Sequence, residues 1–339
     1  MPEIFLQLSS DDRREALQVI STASGRPIHL LEKDVWVVWA LSKLFESKFA
    51  EHLVFKGGTS LSKAYQIIRR FSEDVDLTYD IRVIAADLIG DQTEALPPNR
   101  SQEKKWTGEI RGRLSALVAN EILPFIAEQL AAENLQAKAS AAEDRILIEY
   151  APLAVGSGYV RPAVLLEFGA RSTGEPWESL PVVCDAAGHL PELAFPTAQP
   201  RVMRIGRTFW EKATAVHVYC LQGKFRGGER FARHWHDLAR IDEAGHADGA
   251  LADRDVAEAV ARHKTVFFAE KDEKGNAIDY AAAVSGSLQL VPESGAYDAL
   301  AKDYHAMVDD GLLLGDAESF DALMEKCGAI QEKANAKKT

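Results

Sequence analysis

Between Phe55 and Leu77 the chain reads FKGGTSLSKAYQIIRRFSEDVDL, which gathers a glycine pair, two hydroxyls and two aspartates one residue apart. These residue types suit phosphate and divalent-cation chemistry. Gly57 and Gly58 let backbone approach an anion closely, while Thr59 and Ser60 add hydroxyls where a helix begins. Asp74 and Asp76 alternate on a strand and therefore point to one side, offering oxygen ligands to Mg²⁺ in the manner of sites that hold two ions about 3.5–4 Å apart. Nucleotide transfer from a triphosphate needs both parts, a cradle for phosphate and rigid acids for the cation. A tight turn followed by a solvated strand face explains either half alone. Strand, GGTS, helix and SEDVDL in that order within residues 52–77 favour the joint, chemical reading.

The elements that must position these groups follow from hydrophobic periodicity. His52 to Phe55 reads as a central strand that turns at the glycine pair into a helix. That helix is expected to bury Leu61, Ala64, Tyr65 and Ile68, at i, i+3, i+4 and i+7, and to turn Lys63, Gln66 and Arg70 outward. From Phe71 the period changes to two, with Ser72, Asp74, Asp76 and Thr78 on one side and Val75, Leu77 and Tyr79 on the other. Upstream, Ser9 or Ser10 caps a helix that stops near Gly25 and Pro27, and a second helix covers Leu30 to Glu46, its VWVVWAL stretch apolar on nearly every face. Ala85 to Lys105 reads as a long polar loop containing Pro97-Pro98, before a helix from Trp106 to about Ala132. Arg145–Tyr150 and Ala163–Gly169 read as strands able to pair as a hairpin, joined by a connection holding Pro152, Gly156, Gly158 and Pro162. After Pro181–Pro200 the pattern is helical. Thr208 to Glu211 form a capping box with a stop at Gly223; then come ERFARHWHDLARI, a helix near Asp253–Phe268, two or three more to Lys333, and a frayed KANAKKT tail.

Composition bounds the function. The chain has 339 residues, a 47% hydrophobic and 27% charged mixture, room for one large core or two ordinary ones, and no internal repeat. A net charge of −12 disfavours indiscriminate adhesion to nucleic acid, although local basic clusters can still steer a particular RNA or DNA. Cys184, Cys220 and Cys327 lie far apart without CxxC spacing, which suggests neither a disulfide framework nor a zinc knuckle and fits a reducing cytoplasm. The amino terminus does not read as a signal peptide. The longest apolar run, Val35–Leu41, is seven residues against roughly 20 for a membrane span, so a soluble cytoplasmic protein without a membrane partner is expected.

HLVFKGGTSLSKAYQIIRRFSEDVDLTY resembles the signature of the AbiEii/AbiGii toxin family, bacterial nucleotidyltransferase-like proteins of the DNA polymerase beta-type superfamily, known from type IV toxin–antitoxin and abortive-infection systems. Glu32-Lys33-Asp34 resembles the family's entry helix. LLEF with Glu167, FWEKATAVH with Lys212 and RHWHDLARI with Asp237 resemble later motifs in order, and SLQLVPESGAYDALAKDYHAM extends the likeness over nearly the whole chain. The resemblance implies an α/β (α+β) nucleotidyltransferase core with a mixed sheet and N-terminal helices over residues 1–200, a C-terminal helical domain over 201–335, and an active site between them.

The resemblance also implies roles. Gly57, Gly58, Thr59, Ser60 and Lys63 would contact the triphosphate; Asp74 and Asp76 would hold Mg²⁺, or Mn²⁺ in its place; Lys212 would neutralise phosphate charge; Asp237 would complete the site. As a third carboxylate Glu167 is preferred, because an acid in the apolar strand LLEF is costly to bury without a partner; Glu149 in ILIEY is the competitor. The plainer readings are a solvated edge-strand Glu167, a solvated Lys212 beside Glu211 and an Asp237–Arg233 ion pair at i−4. His234 and His236 lie about 200° apart on a helix and read as packing or surface residues rather than metal ligands. Arg69, Arg70, Arg201, Arg204, Arg207, Arg226, Arg230 and Arg233 are either solvated or gathered to receive RNA. The implied reaction transfers NMP from an NTP to a hydroxyl, in the family context a tRNA 3′ end, causing growth arrest restrained by a cognate antitoxin. Transfer to a protein hydroxyl and a non-catalytic nucleotide-binding module are the alternatives.

Overall fold

Alternating apolar residues build a seven-stranded mixed sheet, seen in a computed structural model that describes residues 2–336 apart from 71, 73, 93, 155–160, 224–230, 314 and 316. Its strands are β1 (Leu53–Lys56), β2 (Asp74–Tyr79), β3 (Ala137–Ala142), β4 (Arg145–Tyr150), β5 (Ala163–Gly169), β6 (Trp177–Ser179) and β7 (Arg201–Met203). Their spatial order is β3-β4-β5-β2-β1-β7-β6. β2 runs parallel to β5 and antiparallel to β1, while β4 and β5 pair antiparallel, as the two predicted strands require. Val75, Leu77 and Tyr79 of β2, Ile146, Ile148 and Tyr150 of β4, and Val164, Leu166 and Phe168 of β5 are buried, the period of two that gives a sheet one core face.

Helix α1 (Ser10–Ser24) starts where the Ser9 side chain accepts from the Asp12 N–H and ends at Gly25 with φ +72°. Helix α2 (Ile28–Phe45) is buried on nearly all sides through Val35–Leu41. Trp36 of α2 stacks on Tyr150 of β4, ring centroids 5.1 Å apart, which places the helix on the core face of the sheet.

The chain divides into two units, one made of Met1–Ala64, Ser72–Asp91 and Gly108–Val202, the other of Tyr65–Phe71, Gln92–Thr107 and Met203–Thr339. The last division falls two residues after the expected boundary, and the second unit also draws on two earlier segments. It is helical, with α-helices at Ile205–Gln222, Arg233–Glu243, Arg254–Phe267, Ser294–Asp309 and Phe320–Ala336. Trp210 and Trp235 lie in its core, and each donates its indole N–H to a backbone carbonyl, of Ala250 at 2.9 Å and of Leu290 at 2.6 Å.

The helix after the glycine pair, α3 (Gly57–Lys63), stops short of Ile68: Gln66 adopts φ +57°, and Lys63 and Arg70 are buried rather than outward. Tertiary partners override the helical period there, since Tyr65 donates its hydroxyl to the Met203 carbonyl and Arg70 forks onto Asp237. The polar segment before Trp106 is not all loop; a turn of helix covers Ala86–Ile89, and the Asn99 side chain caps a helix that begins at Arg100. The helix expected to start at Thr208 begins at Ile205, so Thr208 is buried inside it and Glu211 pairs with Arg207 at i−4. β3, β6 and β7 were not legible as strands. Phe71, Gly156, Gly158, Arg226 and Arg230 lie outside the described residues.

The helical run Arg100–Ala132 is long and apolar enough to cross a membrane by length and composition, but Ile110, Leu114, Val118, Ile122, Ile126 and Leu130 are buried in the protein. A four-residue repeat advances about 40° per step on an α-helix. The wider π turn at Val118–Ile122 offsets that drift and keeps one stripe facing the core.

Candidate active site

Gly57 has φ +78°, and a Cβ on it would stand 2.0 Å from Asp76 Oδ2. Both the backbone conformation and the contact with the aspartate therefore require glycine. The Thr59 hydroxyl donates to the Asp74 carbonyl in a short bond, and the Ser60 hydroxyl donates to the Gly57 carbonyl at 2.9 Å. Both side chains are buried. The two hydroxyls thus stitch the glycine turn to the aspartate strand and to itself.

Strand register builds a row of charge across four neighbouring strands. Lys56 of β1 lies opposite Asp76 of β2, Asp76 opposite Glu167 of β5, and Glu167 opposite Arg145 of β4. Directly opposite residues share a face, so the row and Asp74 stand on the side of the sheet away from the core. Arg145 Nη2 is 2.8 Å from Glu167 Oε1. Burial raises the Glu167 pKa; Arg145 opposes that shift, and the Asp74 and Asp76 charges add to it. Glu149, the competing acid, is exposed and sits opposite Ala163 and Lys138, four residues from the row.

Asp74 and Asp76 are half-buried hard-oxygen donors on one rigid face. Mg²⁺ is ordinarily held by one or two carboxylates with substrate phosphates completing its shell, and this pair fits that arrangement. Among the described residues no group of three or more His, Cys, Asp or Glu is disposed to hold a metal ion by itself. Glu167 shares the face but directs an oxygen to Arg145.

Lys63 is engaged by two carboxylates. Its ammonium lies 2.5 Å from Asp34 Oδ1 and 2.7 Å from Asp185 Oδ1, and Asp34 Oδ2 accepts from the Asp185 N–H at 2.6 Å. Arg26 closes on the other oxygen of Asp185. Burial alone would lower the Lys63 pKa, but the two carboxylates outweigh it and raise it; burial raises that of Asp34. The cluster ties the end of α3 to α2. Asp34 stands in the entry-helix triplet, whereas nothing in the sequence pointed to Asp185.

In the second unit Asp237 is fully buried, and its carboxylate receives Arg70 through Nε at 2.6 Å and Nη2 at 2.8 Å, and Lys212 at 2.8 Å. Burial would raise its pKa, yet the two cations hold it well below the usual carboxylate range. Burial lowers the Lys212 pKa. Asp237 therefore positions Lys212 and Arg70, in place of the Arg233 pairing at i−4. His236 Nδ1 lies 3.5 Å from Asp237 Oδ1, and burial together with Lys212 and Arg233 keeps His234 well below its ordinary pKa. The sequence turns Arg70 outward or groups it with arginines that face RNA or solvent; the structure instead buries it on Asp237. A surface hollow of about 450 Å³, lined by residues that include Phe45, Trp177, Gln199 and Arg201, contains none of the predicted site residues.

Within the first unit an acid pair on a mixed sheet is locked to a glycine turn, and within the second a buried lysine is held by Asp237. Residues 39–326 match the family described as nucleotidyl transferase AbiEii toxin of type IV toxin–antitoxin systems, and the chain belongs to that family. Membership makes it a toxin-class transferase, with a nucleoside triphosphate donor and an antitoxin partner implied. Among solved structures the chain is similar to JHP933 of Helicobacter pylori, with 16% identity, a TM-score of 0.41 and coverage of 92% of this chain and 94% of that one. It is similar also to MenT4, a nucleotidyltransferase toxin of Mycobacterium tuberculosis, with 15% identity, a TM-score of 0.41 and coverage of 95% and 98%. A comparison with curated proteins gives no match.

Proposed function

We propose that this protein transfers a nucleoside monophosphate from an NTP to the 3′-terminal hydroxyl of a tRNA, and that Asp74 and Asp76 hold Mg²⁺ for the reaction. The observation that carries this reading is the contact of Gly57 with Asp76, which fixes a backbone turn suited to phosphate against a carboxylate suited to a cation. Divalent cations, two in the reading we favour, supply positive charge for the attacking and leaving oxygens when bound.

The remaining steps belong to the chain's own groups. The acceptor oxygen attacks the α-phosphorus in line, the bond to the β-phosphate oxygen breaks, and pyrophosphate leaves. Gly57 and Gly58 give the phosphates access to backbone, Lys212 meets phosphate charge, and Asp237 holds the lysine. Such chemistry is mostly positioning and charge stabilisation, which is why rigid, paired side chains suit it. Activity in the cytoplasm arrests growth until a cognate antitoxin restrains it.

The acceptor is tested by incubating the protein with each α-labelled NTP, total tRNA and Mg²⁺. Label is expected on RNA, and label migrating with protein instead would replace the tRNA acceptor by a protein hydroxyl. In a bacterial host, expression of wild type without its antitoxin is expected to stop growth while Asp76→Ala does not. Equal growth of the two strains would remove the growth-arrest claim.

A further inference from the structure

Asp74, Asp76 and Glu167 share one face of the adjacent strands β2 and β5, with Asp76 and Glu167 directly opposite. Neighbouring strands lie only about 4.8 Å apart, a spacing from which two facing acids can reach one cation. No three-acid grouping disposed to hold a metal forms among the described residues, and Glu167 has a cation beside it on the next strand. Arg145 of β4 lies opposite Glu167, with Nη2 2.8 Å from Oε1. The arginine side chain is 58% exposed and the glutamate 29%, so water reaches the pair and the bond is weak enough to exchange.

We propose that Arg145 is a latch on the third carboxylate. It is a positioning residue that holds an oxygen of Glu167 in the resting protein and so keeps that carboxylate from joining Asp74 and Asp76 on a cation. Two carboxylates bind a hard cation weakly unless phosphate oxygens complete its shell, so the latch favours loading of the ion together with nucleotide over loading of the ion alone. Displacement of Arg145 then frees Glu167 to join the site. The inference rests on the proposed cation role of Asp74 and Asp76.

The test is Mn²⁺ binding in the absence of nucleotide, followed by electron paramagnetic resonance, for wild type, Arg145→Ala, Glu167→Gln and the double variant. A latch predicts that Arg145→Ala binds Mn²⁺ about two- to fivefold tighter, the range expected for releasing an exposed ion pair. The gain must vanish when Glu167 is already glutamine, since there is then no carboxylate to release. No gain, or the same gain in both backgrounds, overturns the latch; the second result would mean that Arg145 acts only through its long-range charge. Asp76→Asn separates this failure from failure of the proposed reaction. If Asp76→Asn and wild type bind Mn²⁺ equally, the cation site and the latch both fall; if Asp76→Asn alone loses the ion and the cycle shows no coupling, the latch alone falls.

Discussion

At the scale of single residues, each catalytic candidate is held by a partner that the sequence showed only in part. Gly57 was legible as a turn glycine; that its missing Cβ makes room for Asp76 was not, because the contact joins the start of α3 to β2. Gly57→Ala is expected to cost about 1–2 kcal/mol for the left-handed backbone and to push the Asp76 carboxylate aside. Misplacement of that kind lowers nucleotide transfer by about a hundredfold, measured as kcat/KM on protein that still melts cooperatively. The place of Asp237 on a helix was legible, but its burial and its grip on Arg70 were not, since no local period reports a pairing across 167 residues. Asp237→Ala removes the carboxylate that two buried cations share and is expected to destabilise the protein by about 3–5 kcal/mol in urea unfolding. Lys212→Met keeps the Arg70–Asp237 fork, so it is expected to abolish transfer at a smaller cost in stability.

At the scale of elements, α1, α2, β4 and β5 were legible because caps and strict periods of 3.6 or 2 mark them. The apolar stripe predicts α3 nearly two turns too long because it continues after the helix has ended; Gln66 in the left-handed region and the partners of Tyr65 and Arg70 redirect the chain. The strand Ala137–Ala142 was missed because its small residues carry little β signal and it is defined by pairing with β4. On α2, burial pushes the Glu32 carboxyl up to about 7, against a bond from the Leu153 N–H and the charges of Arg13 and Arg14. The ordinary value is 4.5, so the folded state keeps a proton that the unfolded chain releases, and stability falls as pH rises from about 4.5 to 7. Glu32→Gln is expected to match wild type near pH 4 and to exceed it by on the order of 3 kcal/mol at pH 8. Denaturant melts at the two pH values check this, and an unchanged difference between them would contradict it.

At the scale of the whole molecule, the sequence order of strand, glycine turn, helix and acidic strand was enough to suggest the reaction class, because these parts are local and follow one another along the chain. The change from strand patterns to helical ones near residue 200 was also legible. The assignment of Tyr65–Phe71 and Gln92–Thr107 to the helical unit was not, because contacts and not composition decide it. Belonging to a nucleotidyltransferase toxin family gives the reaction class; the role of Asp76 within it is the claim on which the account stands. The most direct test is pyrophosphate release from NTP in the presence of total tRNA and Mg²⁺, for wild type and for Asp76→Asn shown by melting to be folded. The account predicts release by wild type and a loss of at least about a hundredfold in the variant. Release at the same rate by folded Asp76→Asn would contradict it.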